Sequence, residues 1–168
     1  MNWITRRFTT ALLTIPNRKD WLYTITLLLL YALIYLPMGF KLRFLQVNFE
    51  ATWQTIVKVT AAAFFMPGLL EELGFRVLLI PHPLENVFKP VRWFWIIVSW
   101  LLFVVYHLNP FTPLFFRDPA FLVGAGLLGI VCTVSYLQSG SLWTPVVIHW
   151  IIAAVWLLFL GGLEKWHG

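Results

Sequence analysis

Long apolar runs without a charged side chain dominate the chain. They lie at 21–40, 93–116 and 119–163. An α-helix needs about 20 apolar residues to cross the ~30 Å hydrocarbon layer of a bilayer. The last run is long enough for two crossings, with a turn predicted at 138–141. The pattern predicts an all-α, polytopic helical integral membrane protein, with about five to six hydrophobic helices in one bundle.

Proline, glycine and polar residues divide these runs into separate helices. Residues 1–20 are basic and mixed, and we expect an N-terminal surface segment there. Residues 21–163 should form one helical membrane domain. A kink is predicted at Pro67-Gly68, and Pro81-His82-Pro83 should end the helix that follows it. The predicted helical stretches are 21–38, 51–66, 69–80, one starting near 91, 119–138 and 143–160.

The composition supports a membrane location. Hydrophobic residues make up 60% of the chain and charged residues 11%, whereas a soluble domain has about a quarter charged residues. The net charge is +5, and the basic residues flank the apolar runs, which suits anionic lipid headgroups rather than nucleic acid. Four of them precede the first span, which favours a cytoplasmic N-terminus.

Three charged side chains stand inside an apolar segment, in "LLEELGFRVLLIPHP" at 69–83. A charge within a span costs roughly 2.5–3.5 kcal/mol on insertion scales. Glu72 and Arg76 are spaced i,i+4 and can pair on a helix. Glu71 points elsewhere, so one carboxylate remains for general acid–base chemistry. The alternative is an ordinary ion pair at an interfacial helix end.

Two histidines, His107 and His149, lie in other apolar segments. Either one alone is more often a hydrogen-bonded core residue than a catalyst. With Glu71 they could activate water directly, or they could bind Zn²⁺, for which glutamate and histidine are normal ligands. Cys132 is expected to be a small packing residue, and His82 is interpreted as a loop residue without an assigned role.

Three short motifs resemble those of a known family. "EELGFR" fits its EExxxR motif, "FVVYH" from Phe103 to His107 fits FxxxH, and "SLWTPVVIHWIIA" resembles the third. They occur in family order over about 69–153. The chain therefore resembles the CPBP family of CAAX proteases and bacteriocin-processing enzymes. This family is also called type II CAAX prenyl endopeptidase-like, or Abi.

The resemblance implies an intramembrane endopeptidase acting on a membrane-embedded or lipid-proximal peptide. Glu71 with His107 would activate water, Glu72 and Arg76 would position that carboxylate, and His149 would stabilise the oxyanion. The family has been described both as metalloproteases and as metal-independent glutamate proteases. Zn²⁺ on Glu71, His107 and His149 is thus one of two alternatives. The resemblance also favours a bacterial-type inner membrane, and it leaves the oligomeric state open.

One position departs from the family pattern. Where the third motif often ends in Asn or Asp, this chain has Ala153, one turn after His149. The alanine side chain donates no hydrogen bond. Losing one oxyanion donor can cost about 10²–10³ in rate. Either another group supplies the donor, or the enzyme is slow, or the protein is a non-catalytic scaffold or immunity-type relative. Besides a peptidase and a non-catalytic protein, the third class of function considered is a transporter whose Glu and His side chains carry protons.

The depth of the two histidines in the bilayer leads to one further prediction. His107 comes late in its span and His149 early in another that runs the same way. They can meet if the earlier helix continues past Pro110 towards Phe116. We therefore predict that continuation, with a kink at Pro110.

Overall fold

The computed structural model describes residues 2–167, and these contain helices and no strands. Met1, the start of the predicted surface segment, and Gly168 lie outside them. Two π-helical turns, Phe64–Leu69 and Leu73–Leu78, flank α4, and a 3₁₀ turn at Leu114–Arg117 precedes α6. The α-helices are α1 Trp3–Leu13, α2 Arg18–Lys41, α3 Trp53–Ala63, α4 Leu70–Glu72, α5 Lys89–Tyr106, α6 Pro119–Ser139, α7 Trp143–Phe159 and α8 Gly162–His167.

Three of these helices, α2, α5 and α6, are long and apolar enough to cross a bilayer. Helix α7 is apolar but shorter, and α3 with the turns around α4 forms a further hydrophobic stretch. Leu29 and Leu33 on α2, and Ile97 and Leu101 on α5, leave large apolar side chains exposed. Such surfaces suit lipid rather than water. The chain is a polytopic helical membrane protein, as its hydropathy predicted.

Helix α6 lies at the centre of the bundle and packs against α2, α5 and α7. Small residues on α6 permit this close approach. A Cβ added at Gly124 would lie 2.5 Å from the Tyr35 ring on α2. A Cβ added at Gly129 would lie 3.0 Å from Trp100 and 3.2 Å from Phe103 on α5. Small residues commonly allow membrane helices to approach one another in this way.

The contact between α2 and α6 yields a stability prediction. Gly124→Ala should destabilise the protein by about 1–3 kcal/mol, because the added methyl must displace the Tyr35 ring, whose hydroxyl donates to Ala120 O. Gly126→Ala is the matched control, since its Cβ would make only ordinary contacts from 3.7 Å. Thermal unfolding in detergent should rank Gly124→Ala below the wild type and Gly126→Ala level with it or above. Equal melting of both variants would contradict this packing.

Helix α1 is tied to the bundle rather than lying free of it. Ala11 is fully buried, and its carbonyl accepts from Leu142 N at 2.9 Å. Arg7 on α1 donates from Nε to Glu85 Oε1 at 2.5 Å and from Nη2 to Glu85 Oε2 at 2.9 Å. The loop after α4 also holds His82, which is buried and bonded through Nε2 to Gly140 O at 2.8 Å. These bonds join the N-terminal helix, this loop and the turn between α6 and α7.

The Arg7–Glu85 pair should make stability depend on acid pH. Partial burial raises the pKa of Glu85, but hydrogen bonds from Arg7 and the His82 N–H, with the Arg7 charge, hold it below the ordinary 4.5. A carboxylate with a depressed folded pKa stabilises the fold above its unfolded pKa, and this contribution is lost as pH falls through the folded value. We expect wild-type melting temperatures to fall towards those of Glu85→Gln below about pH 4.5. Melting curves measured from pH 7 to pH 3 test this.

The control for this titration is Glu50→Gln, because Glu50 is exposed and pairs with no cation among residues 2–167. It should follow the wild-type curve throughout. A constant gap between wild type and Glu85→Gln down to pH 3 would contradict the assignment.

The predicted kink at Pro67-Gly68 is confirmed. Met66 has extended backbone angles, φ −134° and ψ 110°, between helical residues. Proline supplies no N–H to continue the helical ladder, so the chain changes direction here. The kink sets the entry angle of α4, which carries the two carboxylates.

The predicted continuation of α5 past Pro110 is wrong. The helix ends at Tyr106, and the His107 N–H bonds to Val104 O at 3.2 Å as a C-terminal cap. The Thr112 hydroxyl then donates to His107 O at 3.0 Å, which satisfies a carbonyl that the helix leaves free. Pro110 cannot donate, and it disfavours helical geometry at the residue before it. Local turn bonds replace the helix here.

Candidate active site

The carboxylate segment reaches α7 through a close backbone contact. Gly68 is buried, and a Cβ there would lie 2.9 Å from Ala63 O and 3.4 Å from Trp150 Cβ. Only a residue without a side chain allows α7 to approach so closely after the kink. This approach brings Glu71 and Glu72 next to His149, the residue before Trp150.

Glu72 is the centre of a fully buried polar group. Its Oε1 lies 2.7 Å from His149 Nδ1, and its Oε2 lies 3.2 Å from Arg76 Nε. Glu72 and Arg76 have no exposed side-chain surface. The alignment of the Arg76 contact is too poor for a hydrogen bond, so it acts as a charge pair. The i,i+4 pairing predicted from the sequence is confirmed.

Arg76 is fixed by further contacts from two other helices. Its Nη2 donates to Gly129 O on α6 at 3.2 Å. Its guanidinium carbon lies 4.5 Å from the centre of the Phe103 ring on α5, a cation–π contact. The charged head is therefore held between α5 and α6, where it neutralises Glu72.

Glu71 has a different environment from Glu72. Its Oε2 lies 3.9 Å from His149 Nε2, which is too far for a direct hydrogen bond. This oxygen has no hydrogen-bond partner among residues 2–167. Its side chain keeps 11% of its surface exposed, whereas that of Glu72 keeps none. Glu71 is therefore the more exposed of the two carboxylates, although its unpaired Oε2 is itself buried.

His107 lies beside this group without a direct bond to it. Its Nδ1 is 2.8 Å from Phe103 O, and since a carbonyl only accepts, Nδ1 carries the hydrogen. The Phe103 ring lies between the two histidines, with centroids 5.1 Å from His107 and 5.8 Å from His149. Both histidine rings therefore pack against the same Phe103 ring.

The charges of the buried group constrain its chemistry. Glu71 and Glu72 are opposed by Arg76 and, when protonated, by His149. Uncompensated charge in a low-dielectric interior is costly. The Nδ1 of His149 faces Glu72 Oε1, and its Nε2 lies on the side of Glu71.

Three potential metal ligands meet at the same place. Glu72, Cys132 and His149 offer ligand atoms within 4.8 Å of one another, all buried. Thiolate, imidazole and carboxylate are usual zinc ligands. A dication there would stand next to Arg76, and His149 Nδ1 is already bonded to Glu72. These residues therefore fit a metal ion poorly.

The predicted metal ligands Glu71, His107 and His149 form no such cluster among residues 2–167. Sequence reasoning also treated Cys132 only as a packing residue. It is fully buried in α6, and its thiol lies 3.6 Å from Pro145 O. The sequence offers no motif that links position 132 to Glu72, because the two meet only through helix packing.

The motif residues thus meet on one side of α6, and the family comparison covers all of them. The family model for type II CAAX prenyl endopeptidase Rce1-like proteins matches residues 51–155, more than half of the chain. The chain belongs to this family, as the ordered motifs indicated. No curated protein and no solved structure is significantly similar to it.

Proposed function

We propose that the protein is an intramembrane endopeptidase whose attacking water is activated by Glu71. The observation that carries this proposal is the unequal environment of the two carboxylates. Glu72 is paired with Arg76 and His149, whereas Glu71 keeps a free oxygen and some exposure. A positioned, unpaired carboxylate is suited to accept a proton from water. Membership of the Rce1-like family supports an endopeptidase in general.

The water would lie between Glu71 Oε2 and His149 Nε2. These atoms are 3.9 Å apart, and one water can reach both at hydrogen-bond distances of about 2.8 Å. Glu71 takes a proton as the water oxygen attacks the carbonyl carbon of the scissile bond. The carbonyl electrons move onto oxygen and form the oxyanion. When the C–N bond breaks, Glu71 returns the proton to the leaving amine.

As the water attacks, the Nε2–H of His149 is proposed to turn from the water to the carbonyl oxygen and to stabilise the oxyanion. Glu72 holds the imidazole through Nδ1, as a buried carboxylate orients the histidine of a catalytic triad. Arg76 in turn fixes Glu72. A preorganised donor of this kind is often the largest single contribution to such a rate enhancement.

His107 keeps its proposed role as a partner of the water. Since its Nδ1–H is used by Phe103 O, the neutral ring presents an acceptor at Nε2. We propose that this acceptor helps to hold the water once the substrate is bound and so complements Glu71, which takes the proton. His107→Gln should therefore lower the rate by about 10²-fold in a cleavage assay, while Phe103 keeps its contact with Arg76. A fully active variant would remove His107 from the mechanism.

The proposed substrate is a membrane-embedded or lipid-proximal peptide, cleaved in the membrane that contains the protein. Cells producing wild type or Glu71→Ala at equal level should be compared for the N-termini of their membrane proteins. New termini that need Glu71 would identify both the activity and the substrate. Glu164→Ala, which changes an exposed carboxylate on α8, is the control and should cleave as the wild type does.

The non-catalytic alternative makes the opposite prediction. A scaffold or immunity-type protein would leave the N-termini identical in all strains. Any phenotype would then be rescued equally by wild type and by Glu71→Ala. Ala153 is the feature that favours this alternative, because it removes a donor from the motif.

A further inference from the structure

The missing donor at position 153 directs attention to the rest of the same face of α7. This helix is regular from Trp143 to Phe159, so the residues four and seven positions after His149 lie on the same side of the helix as His149. These residues are Ala153 and Trp156. Ala153 offers no polar atom, whereas Trp156 carries an indole N–H.

The indole N–H of Trp156 is buried and has no acceptor among residues 2–167. Other tryptophans in the bundle satisfy this group. Trp100 Nε1 donates to Gly126 O at 2.8 Å, and Trp150 Nε1 donates to Thr60 O at 2.8 Å. An unmade hydrogen bond on a buried donor carries a desolvation penalty and calls for an explanation.

The position of Trp156 provides an explanation for its unpaired N–H. Its ring lies 5.7 Å from Phe121, and Phe121 lies 5.3 Å from His107, so Trp156 and His107 pack against the same ring. Long side chains on a helix lean towards its N-terminus and cover the preceding turn. For Trp156 that turn contains Ala153, which carries only a methyl group.

We propose that the Trp156 indole N–H donates a hydrogen bond to the substrate peptide next to the scissile bond, in place of the Asn or Asp side chain absent at position 153. This rests on the proposed peptidase function. The bond forms only when the substrate is bound, which explains a buried donor without an internal acceptor.

The test uses Trp156→Phe, which removes the N–H and retains an aromatic ring. With the substrate found from the N-terminal comparison, kcat should fall by about 10- to 100-fold, with KM changed less than about twofold. Melting temperature should not fall, since an unpaired buried donor is lost. Trp143→Phe is the control, because the Trp143 N–H at the start of α7 donates to Leu12 O on α1, and its loss should not affect kcat.

Rescue separates this role from a merely structural one. Ala153→Asn restores a donor, so Trp156→Phe should cost little activity in that background. Full activity of Trp156→Phe alone, while Glu71→Gln is inactive, would overturn the inference and leave the peptidase standing. A loss that Ala153→Asn does not rescue, together with a lower melting temperature, would also overturn it. Wild type without Glu71-dependent cleavage would overturn both proposals.

Discussion

Arg76→Met should destabilise the folded protein by about 3–5 kcal/mol, the largest stability effect expected in this chain. The substitution leaves Glu72 ionised, fully buried and without its cation. It also removes the bond to Gly129 O and the cation–π contact with Phe103. Methionine retains much of the side-chain volume, so lost packing contributes little. Two measurements test this effect: thermal unfolding of the purified protein in detergent, and the amount of protein recovered from membranes.

A double mutant tests whether the cause is charge. Glu72→Gln/Arg76→Met removes both members of the pair and should recover much of the lost stability, because no unpaired charge remains. Arg117→Met, at an exposed site, should melt as the wild type does. A double mutant no more stable than Arg76→Met would show that the pair is not the reason for the loss.

His149→Gln should lower the cleavage rate by about 10²–10³-fold, the largest activity effect expected outside Glu71. Glutamine retains an N–H that can reach Glu72 Oε1, so the buried carboxylate keeps a partner. With its amide held there, it presents no N–H at the position of His149 Nε2. The oxyanion donor is therefore lost. Steady-state kinetics should show the change in kcat rather than in KM.

The matched control is His82→Gln. His82 is also buried, but it bonds to Gly140 O at the turn between α6 and α7 and contacts no site carboxylate. This variant should lower the melting temperature and leave kcat unchanged. Equal losses of kcat in both variants would indicate a general effect on folding and would contradict a role for His149 in catalysis.

The sequence predicted those features that depend on local spacing. The membrane spans were predicted from the length of the apolar runs, and the helix kink was predicted from Pro67-Gly68. The ion pair between Glu72 and Arg76 was predicted from their i,i+4 spacing. The turn after α6 followed from its Ser and Gly residues, and Gly140 there has φ 67°. Each of these depends on residues close together in the chain.

Features that depend on packing between helices were missed. The bond between His149 and Glu72 spans 77 positions, and the approach of Cys132 to both depends on how α6 packs. The end of α5 was mispredicted because the prediction required His107 and His149 to lie level. Both histidines contact the Phe103 ring, and neither contact requires α5 to continue past Tyr106.

The most direct test of the account is cleavage in isotopically labelled water. Wild type and Glu71→Gln would be reconstituted in liposomes with the identified substrate in H₂¹⁸O. Wild type should form a new carboxyl terminus containing ¹⁸O, and Glu71→Gln should form product at least about 10²-fold more slowly. Equal product from both proteins, or no product from wild type, would contradict the claim that Glu71 activates water to hydrolyse a peptide bond.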